Sequence, residues 1–590
     1  MNSIWNDPSL VDEARPILRS TIPAALASAA EIFGSQGFLR SKRLGAWTES
    51  SWEAVAAEVR SAAKGFISLG LQPGQIVAVV SRNRREAVIA ELAAVSSGAV
   101  SAAVTPGLFA SPAELFRAVN PAIVVVDGAA QSEWLESEDL ARTSNVKIVC
   151  VDRVPDEHVV EAISWEELLG RGGSSSDLDV LLSDRATVMD PDEVALLSLS
   201  AGTMGPPSVT GLTHRFVLAN CEALQERVQV GSQDLKLTFL PWSRSDERLL
   251  SIYLPILTGM RIAFPESEDT VAQDLRDTAP TILSAAPRHL RLMQTEVLDA
   301  SRLAGSVPRA FLSRAMALGS RIAVRMSHGH QASFFEKGRY VLAQLLGLRR
   351  VRRHIGIHRV RQLIVIDETI SADLAFWFLS LGAPIAQGWG TASTAGVLSL
   401  DTFPTLKIGS VGRALSCFRV APDSNTSELK VRIIRSENTG DNDSGLPTGD
   451  IGSVQSDGTI KILAKAGHNT HLPRPHRLAA FEARHLLTDA IFVRDALMCQ
   501  EEEGQAVVAL LLNRQRIEQY AHREGVAFSD YQTLLRTPQV SRLIQAHVDS
   551  VNKLIGPHFF VRDYQIVESE LLPGDHRLTP AMKLRHWRLV

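Results

Sequence analysis

Three short stretches hold residue types whose spacing suits chemistry. Residues 447–452 (PTGDIG) set one carboxylate, Asp450, in a glycine-bounded turn. An ionised carboxylate there accepts hydrogen bonds at both oxygens at once. Residues 387–394 (QGWGTAST) line up Gln387, Gly388, Trp389 and Gly390, with the Trp389 indole offering a broad π surface. An ordinary core tryptophan is the alternative. Residues 194–200 (VALLSLS) form an apolar run that leads into 201–214 (AGTMGPPSVTGLTH), where Thr203, Gly205 and Ser208 lie. A glycine-rich turn after a strand can wrap phosphate oxygens with backbone N–H groups, and a lysine in it adds a mobile positive charge. No lysine is present in this turn, and by itself such a stretch is more often a plain turn.

Stepping outward, the elements that must hold these stretches alternate between strand and helix. The runs 75–81 (QIVAVVS), 122–127 (AIVVVD) and 147–152 (KIVCVD) read as buried strands, and 85–99 (REAVIAELAAVSSGA) as a helix. The pattern predicts right-handed β-α-β units and mostly parallel sheets, with ligands at the carboxyl ends of the strands. The segment 170–178 (GRGGSSSDL) reads as a flexible surface loop. Past residue 450 the texture changes: 452–463 (GSVQSDGTIKIL) reads as a hairpin turning through Asp457 and Gly458. Strands near 490–495 and 506–512 follow, then a helix near 538–555 with Val540, Leu543, Ile544, Val548, Val551 and Leu554 on one face. The expected division is a large domain over 1–463 and a small α+β domain over 464–590.

Composition excludes several classes. A chain of 590 residues, 45% hydrophobic and 21% charged, buries more than one core and is neither disordered nor fibrous. Its longest apolar runs fall well short of the ~20 residues that span a bilayer. The first residues lack a basic-then-apolar leader, so a cytoplasmic location is expected. Four cysteines without C-x-x-C spacing suit reduced core thiols, and 16 histidines without an H-E-x-x-H pair give no metal site. A formal charge of -4 predicts no general affinity for nucleic acid, and the basic run 349–361 (RRVRRHIGIHRVR) reads first as a solvated helix face.

Order along the chain adds more. Residues 45–107, 240–248 (LPWSRSDER), 280–288 (PTILSAAPR) and 578–585 (LTPAMKLR) stand in order with the three stretches above. On these residues the chain resembles the ANL superfamily of acyl-CoA synthetases, luciferases and adenylation domains, nearest its long-chain acyl-CoA synthetase branch. The resemblance implies an ANL fold: a large domain of mostly parallel sheets flanked by helices, and a small hinged domain. It implies that Asp450 receives the ribose hydroxyls and that Trp389 stands where an aromatic residue lies against adenine. Lys465 stands in place of a hinge arginine, Gly467 and His468 line the expected coenzyme A tunnel, and Trp242 and Arg244 border the acyl pocket. Lys583 aligns with a lysine that contacts the carboxylate and α-phosphate; the alternative is a surface lysine without a task.

The departures from the family pattern cluster. Ser208 replaces the phosphate-loop lysine, Ala392 the threonine that contacts the α-phosphate, and Ser393 the glutamate that holds magnesium. Residues 365–369 (VIDET) replace a small-residue segment beside the adenine. The resemblance implies that positions 208, 392 and 393 serve triphosphate, α-phosphate and magnesium handling in the first of the family's two half-reactions, formation of the acyl-adenylate before coenzyme A displaces AMP, and that 365–369 reshape the nucleotide pocket. The chain is therefore similar to the non-adenylating acyl-CoA ligases of platensimycin and platencin biosynthesis. That likeness implies a preformed acyl-adenylate of a diterpenoid-derived acid as substrate, coenzyme A as co-substrate, no magnesium requirement, and a separate adenylating ligase as supplier. A complete ATP-dependent synthetase with substituted motifs, or an inactive protein that binds acyl-adenylate or coenzyme A, remain the alternatives.

Overall fold

The computed structural model describes residues 20–109, 111–128, 146–152, 162–173, 176–200, 208–327, 329–330, 333–366, 370–434, 445–465, 474–502, 505–555 and 559–567. Two large sheets dominate. One has seven strands, ordered Ala162–Ser164, Lys147–Cys150, Ile123–Val126, Ile76–Val80, Val100–Val104, Val194–Leu199 and Val209–Thr213. Every neighbouring pair is parallel except the last. The strands are short and rich in valine and isoleucine because both faces are covered, and Ile123–Val126 is buried at every position.

The other large sheet has eight strands, ordered Ser399–Thr402, Ile385–Trp389, Gln362–Ile366, Ile282–Ser284, Leu235–Leu237, Arg261–Phe264, Gly37–Arg43 and Ala46–Ser51. Its inner pairs are parallel and its two edge pairs antiparallel. A four-stranded antiparallel sheet follows, built from Phe418–Pro422, Glu428–Ile433, Leu446–Val454 and Ile460–Lys465. It contains the expected hairpin, and Gly458 at φ +81° takes the left-handed turn position that favours glycine. The expected domain boundary at 463/464 falls inside the last of these strands.

A smaller domain begins with the helix Arg474–Thr488 and carries a three-stranded sheet of Val493–Glu502, Gln505–Leu512 and Phe560–Ile566. Its core is its own, from Ala480 to Val561. The helix Pro538–Ile555 turns Val540, Ile544, Val548 and Val551 into it. Leu554, expected on the same face, lies exposed in the last turn. The small domain meets the large one through Arg291 on the helix Pro287–Leu303. The Arg291 guanidinium donates to Asp489 at 2.9 Å through Nε, to Asp373 at 2.9 Å through Nη1 and to Ser371 at 2.8 Å through Nη2.

The surface loop expected over 170–178 is corrected. Residues Trp165–Gly173 and Ser176–Val188 are helices. A Cβ on Gly172 would lie 1.8 Å from the Ser61 carbonyl oxygen, so the glycine lets this helix pack against Trp52–Ser68. Close approach, rather than chain flexibility, is what that residue supplies.

Candidate active site

The strand Ile385–Trp389 is buried throughout and ends with Trp389 at its carboxyl end. That end is where parallel sheets gather their ligands. Asp450 arrives from the neighbouring four-stranded sheet, on the strand Leu446–Val454. The Trp389 indole Nε1–H donates to Asp450 Oδ2 at 3.0 Å, joining residues 61 apart in sequence, and both side chains are buried. A donor aimed at a buried carboxylate contributes ~1.5–3 kcal/mol, more than a neutral pair. Around it, the Thr448 hydroxyl accepts from the Asp450 N–H at 3.2 Å and donates to the Leu429 carbonyl at 2.7 Å. Gly449 between them sits at φ +75° and its N–H donates to Glu428 at 2.9 Å. The T-G-D turn is thus braced from the adjoining strand.

The residues flanking Trp389 are fixed as firmly. Gln387 accepts from the Ile370 N–H at 3.2 Å and donates to the Val365 carbonyl at 3.3 Å, tying its strand to the segment on either side of 367–369. A Cβ on Gly390 would stand 2.3 Å from the Gly396 carbonyl oxygen, because the chain doubles back on itself there. Within that bend the Thr391 N–H donates to the Thr394 hydroxyl at 2.9 Å, and the Ser393 and Thr391 hydroxyls share a hydrogen bond of 2.8 Å. Ser393 therefore spends its hydroxyl on its own loop. Asn220, buried in the helix His214–Val228, donates to the Thr394 and Val397 carbonyls at 2.8 and 3.0 Å. Sequence reasoning passed over Asn220. Its signal was a lone amide on a helix face otherwise occupied by Val217, Leu218, Cys221 and Leu224.

The phosphate-loop end is built from hydroxyls. Ser208 donates from its N–H to the Ser200 hydroxyl at 2.8 Å and from its own hydroxyl to the same oxygen at 3.1 Å. The Ser200 N–H donates back to the Ser208 carbonyl at 2.9 Å, so the two serines are joined across the ends of the segment 201–207. Thr203 and Gly205 fall outside the described residues. Downstream, His214 opens the helix after the strand Val209–Thr213 and accepts from the Ile22 N–H at Nδ1, 3.2 Å away. Burial holds its imidazole down to about 4, against the pull of the Asp190 carboxylate.

Arg244 donates to Asp246 at 2.8 Å and to the Ile366 carbonyl at 3.2 Å, beside the strand that carries Trp389. Trp242 is buried against Phe264, ring centroids 6.1 Å apart. Four residues beyond Arg244, Arg248 of the helix Ser245–Arg248 is enclosed by Glu91 at 2.7 Å and the carbonyls of Leu197 and Ser101 at 2.7 and 3.1 Å, tying that helix to two neighbouring strands of the seven-stranded sheet. Lys465 stands opposite Asp450 in strand register, with its side chain outside the description. Gly467, His468 and Lys583 fall outside the described residues, as do 367–369. Among the described residues no three histidine, cysteine, aspartate or glutamate side chains form a metal cluster. Hydroxyls at 208 and 393 do not match the charged oxygen donors a hard dication prefers. No helix among the described residues is long and apolar enough to cross a membrane.

Comparison with known proteins agrees with this geometry. The AMP-binding enzyme family matches residues 29–428. The long-chain-fatty-acid–CoA ligase ACSBG2 of Rattus norvegicus is 23% identical over 516 residues, 80% of this chain and 76% of that protein. The peroxisomal long chain acyl-CoA synthetase 6 of Arabidopsis thaliana is 23% identical over 461 residues, 73% of this chain and 63% of its own length. Among solved structures, a benzoate CoA ligase from Burkholderia xenovorans LB400 superposes with a TM-score of 0.65 at 13% identity, covering 96% of this chain and 99% of that one. An anthranilate CoA ligase in complex with anthranoyl-AMP gives a TM-score of 0.64 at 14% identity, covering 97% of each chain. At those identities the solved structures speak for the fold. This chain belongs to the AMP-binding enzyme family, in the acyl-CoA synthetase branch of the ANL superfamily.

Proposed function

We propose that this chain performs the thioester-forming half-reaction alone, converting a preformed acyl-adenylate and coenzyme A into acyl-CoA and AMP. The observation that carries the reading is the buried Trp389–Asp450 pair beside a phosphate end whose replaced positions, Ser208 and Ser393, hold only hydroxyls. The nucleoside end keeps the carboxylate that can receive a ribose. The phosphate end lacks the lysine and glutamate that a triphosphate and its magnesium would need.

An acyl-adenylate is a mixed anhydride already activated toward a thiol. The coenzyme A sulfur, deprotonated, attacks the acyl carbon; the C–O bond to phosphate breaks and AMP departs with that electron pair. Little beyond alignment is needed, and holding two reactants in place lowers the barrier by up to ~7–11 kcal/mol. In this reading Asp450, Trp389 and Lys465 hold the nucleoside, Gly467 and His468 receive coenzyme A, and Trp242 and Arg244 shape the acyl side. The small domain, over 464–590, turns about the hinge after the strand Ile460–Lys465. Magnesium is not required, a separate adenylating ligase supplies the acyl-adenylate, and the acid is diterpenoid-derived within antibiotic biosynthesis in the cytoplasm.

The test compares two substrates. Purified protein and coenzyme A are incubated with acid plus MgATP or with synthetic acyl-adenylate, and thioester is measured by mass spectrometry. Thioester from acyl-adenylate alone, with chelator present, is the expected result. Thioester from acid plus MgATP without a second enzyme would establish the complete synthetase instead. Binding of acyl-adenylate without thioester would establish a binding protein.

A further inference from the structure

One face of the large domain is set apart by charge and by what it exposes. Residues 306–361 carry twelve lysines and arginines against one acidic residue, Glu336, in a chain whose formal charge is -4. Inside this basic segment the helix Phe334–Ala343 runs through a π-turn, Gln344–Leu348, into the helix Arg349–His354. At helical spacing Phe334, Phe335, Val341, Leu342, Leu345 and Leu346 share one stripe. That stripe points into solvent. Phe334 and Phe335 are 85% and 81% exposed, and the other four lie between 54% and 66%.

The orientation is enforced from the opposite side. Tyr340 donates to the Ser380 carbonyl at 2.9 Å and Gln344 to the Leu381 carbonyl at 3.0 Å, fastening the helix to Ala372–Leu381. Arg352 donates to the carbonyls of Ile357 and Val360 at 3.3 and 3.1 Å. At the first turn, Ser333 and Glu336 form a reciprocal cap that holds the two phenylalanines at the tip. The helix therefore cannot roll to bury its apolar stripe without giving up these bonds. Arg339, Arg349, Arg350 and Arg353 are exposed around the stripe. Arg349 also borders a surface groove of about 380 Å³ between Tyr340, Gln344 and Gly382.

An outward apolar stripe rimmed by arginines is the pattern that lies in the plane of a membrane interface, apolar side chains below the headgroups and guanidinium groups among the phosphates. A second copy would bring the same positive charge against itself, and a nucleic acid would leave six apolar side chains without a use. We propose that this face docks the chain on an anionic phospholipid surface, with Phe334 and Phe335 inserted and Arg349 and Arg350 on the lipid phosphates. The chain lies on the bilayer and does not span it.

Vesicle flotation of the full chain tests this. The protein is expected to float with vesicles of phosphatidylcholine mixed with phosphatidylglycerol, and about tenfold more weakly with phosphatidylcholine alone. F334S/F335S and R349E/R350E each lower flotation by about tenfold or more, while circular dichroism and the thermal midpoint stay unchanged because all four side chains are exposed. Failure to float with the anionic vesicles, or undiminished flotation of R349E/R350E, overturns the proposal. So does tight binding to random duplex DNA that F334S/F335S leaves intact. A dimer by light scattering that F334S/F335S dissolves, without vesicle binding, would assign the face to a second copy.

Discussion

The two ends of the candidate nucleotide site are built by different rules. At the nucleoside end a buried carboxylate meets a buried indole donor, and the turn that carries Asp450 is braced by Thr448 and Glu428. At the phosphate end, Ser200, Ser208, Thr391 and Ser393 satisfy one another with short local hydrogen bonds. The first arrangement keeps a charge in place, ready for a ligand. The second keeps a loop in shape and presents no charge at the substituted positions. In the proposed reading, the site retains its frame throughout while its chemistry is kept at one end only.

That contrast can be broken at its strong end first. Asp450→Asn keeps the shape but removes the carboxylate, and loss of two charge-assisted bonds to a ribose is worth about 3 kcal/mol or more. The kcat/KM for thioester formation from acyl-adenylate should fall about a hundredfold or more. If it falls less than about tenfold, Asp450 is not the nucleoside anchor.

The platform of the phosphate end responds to pH. His214 is neutral in the fold, its pKa lowered by burial from 6.5 to about 4. The unfolded chain binds the extra proton between those values, so this contribution is complete above pH 6.5 and is lost as pH falls toward 4. The full loss is roughly 3 kcal/mol. Urea midpoints at neutral and acidic pH should show it, and His214→Gln should flatten the slope in that window.

A smaller effect sharpens the nucleoside side. Trp389→Phe keeps the ring but strips the N–H from Asp450, which should cost about 2 kcal/mol of stability, read from the denaturation midpoint. An unchanged midpoint would show that the indole–carboxylate bond is replaceable by water. The smallest expected change is the most telling: Ser208→Ala and Ser393→Ala should leave kcat/KM with acyl-adenylate within about threefold, since neither hydroxyl meets the transferred group in this reading.

Much of this arrangement was legible in the residues. Alternating and fully apolar runs marked the strands at 76–80, 123–126 and 147–150, and Asp457–Gly458 marked a hairpin. Asp450 and Trp389 were both singled out by their motifs. Their mutual hydrogen bond was not, because it depends on how two separate sheets abut, and no local pattern encodes that. Gly172 was read as loop because a glycine needed for helix packing has the same letter as one needed for freedom. Asn220 carried no motif, and only its burial under the 391–397 bend reveals what it holds.

Arg291 gives the domain contact an uneven division of partners. Its guanidinium is divided among Asp489 of the small domain and Asp373 and Ser371 of the large one. In the proposed domain rotation the arginine would keep Asp373, Ser371 and, at 3.1 Å, Gln294 when Asp489 departs, so no half-buried cation is stranded along the way. Stranding a buried charge is what makes broken ion pairs costly. If the small domain turns as proposed, the contact would act as a latch whose hook stays seated on one side, with the guanidinium already aimed for re-engagement.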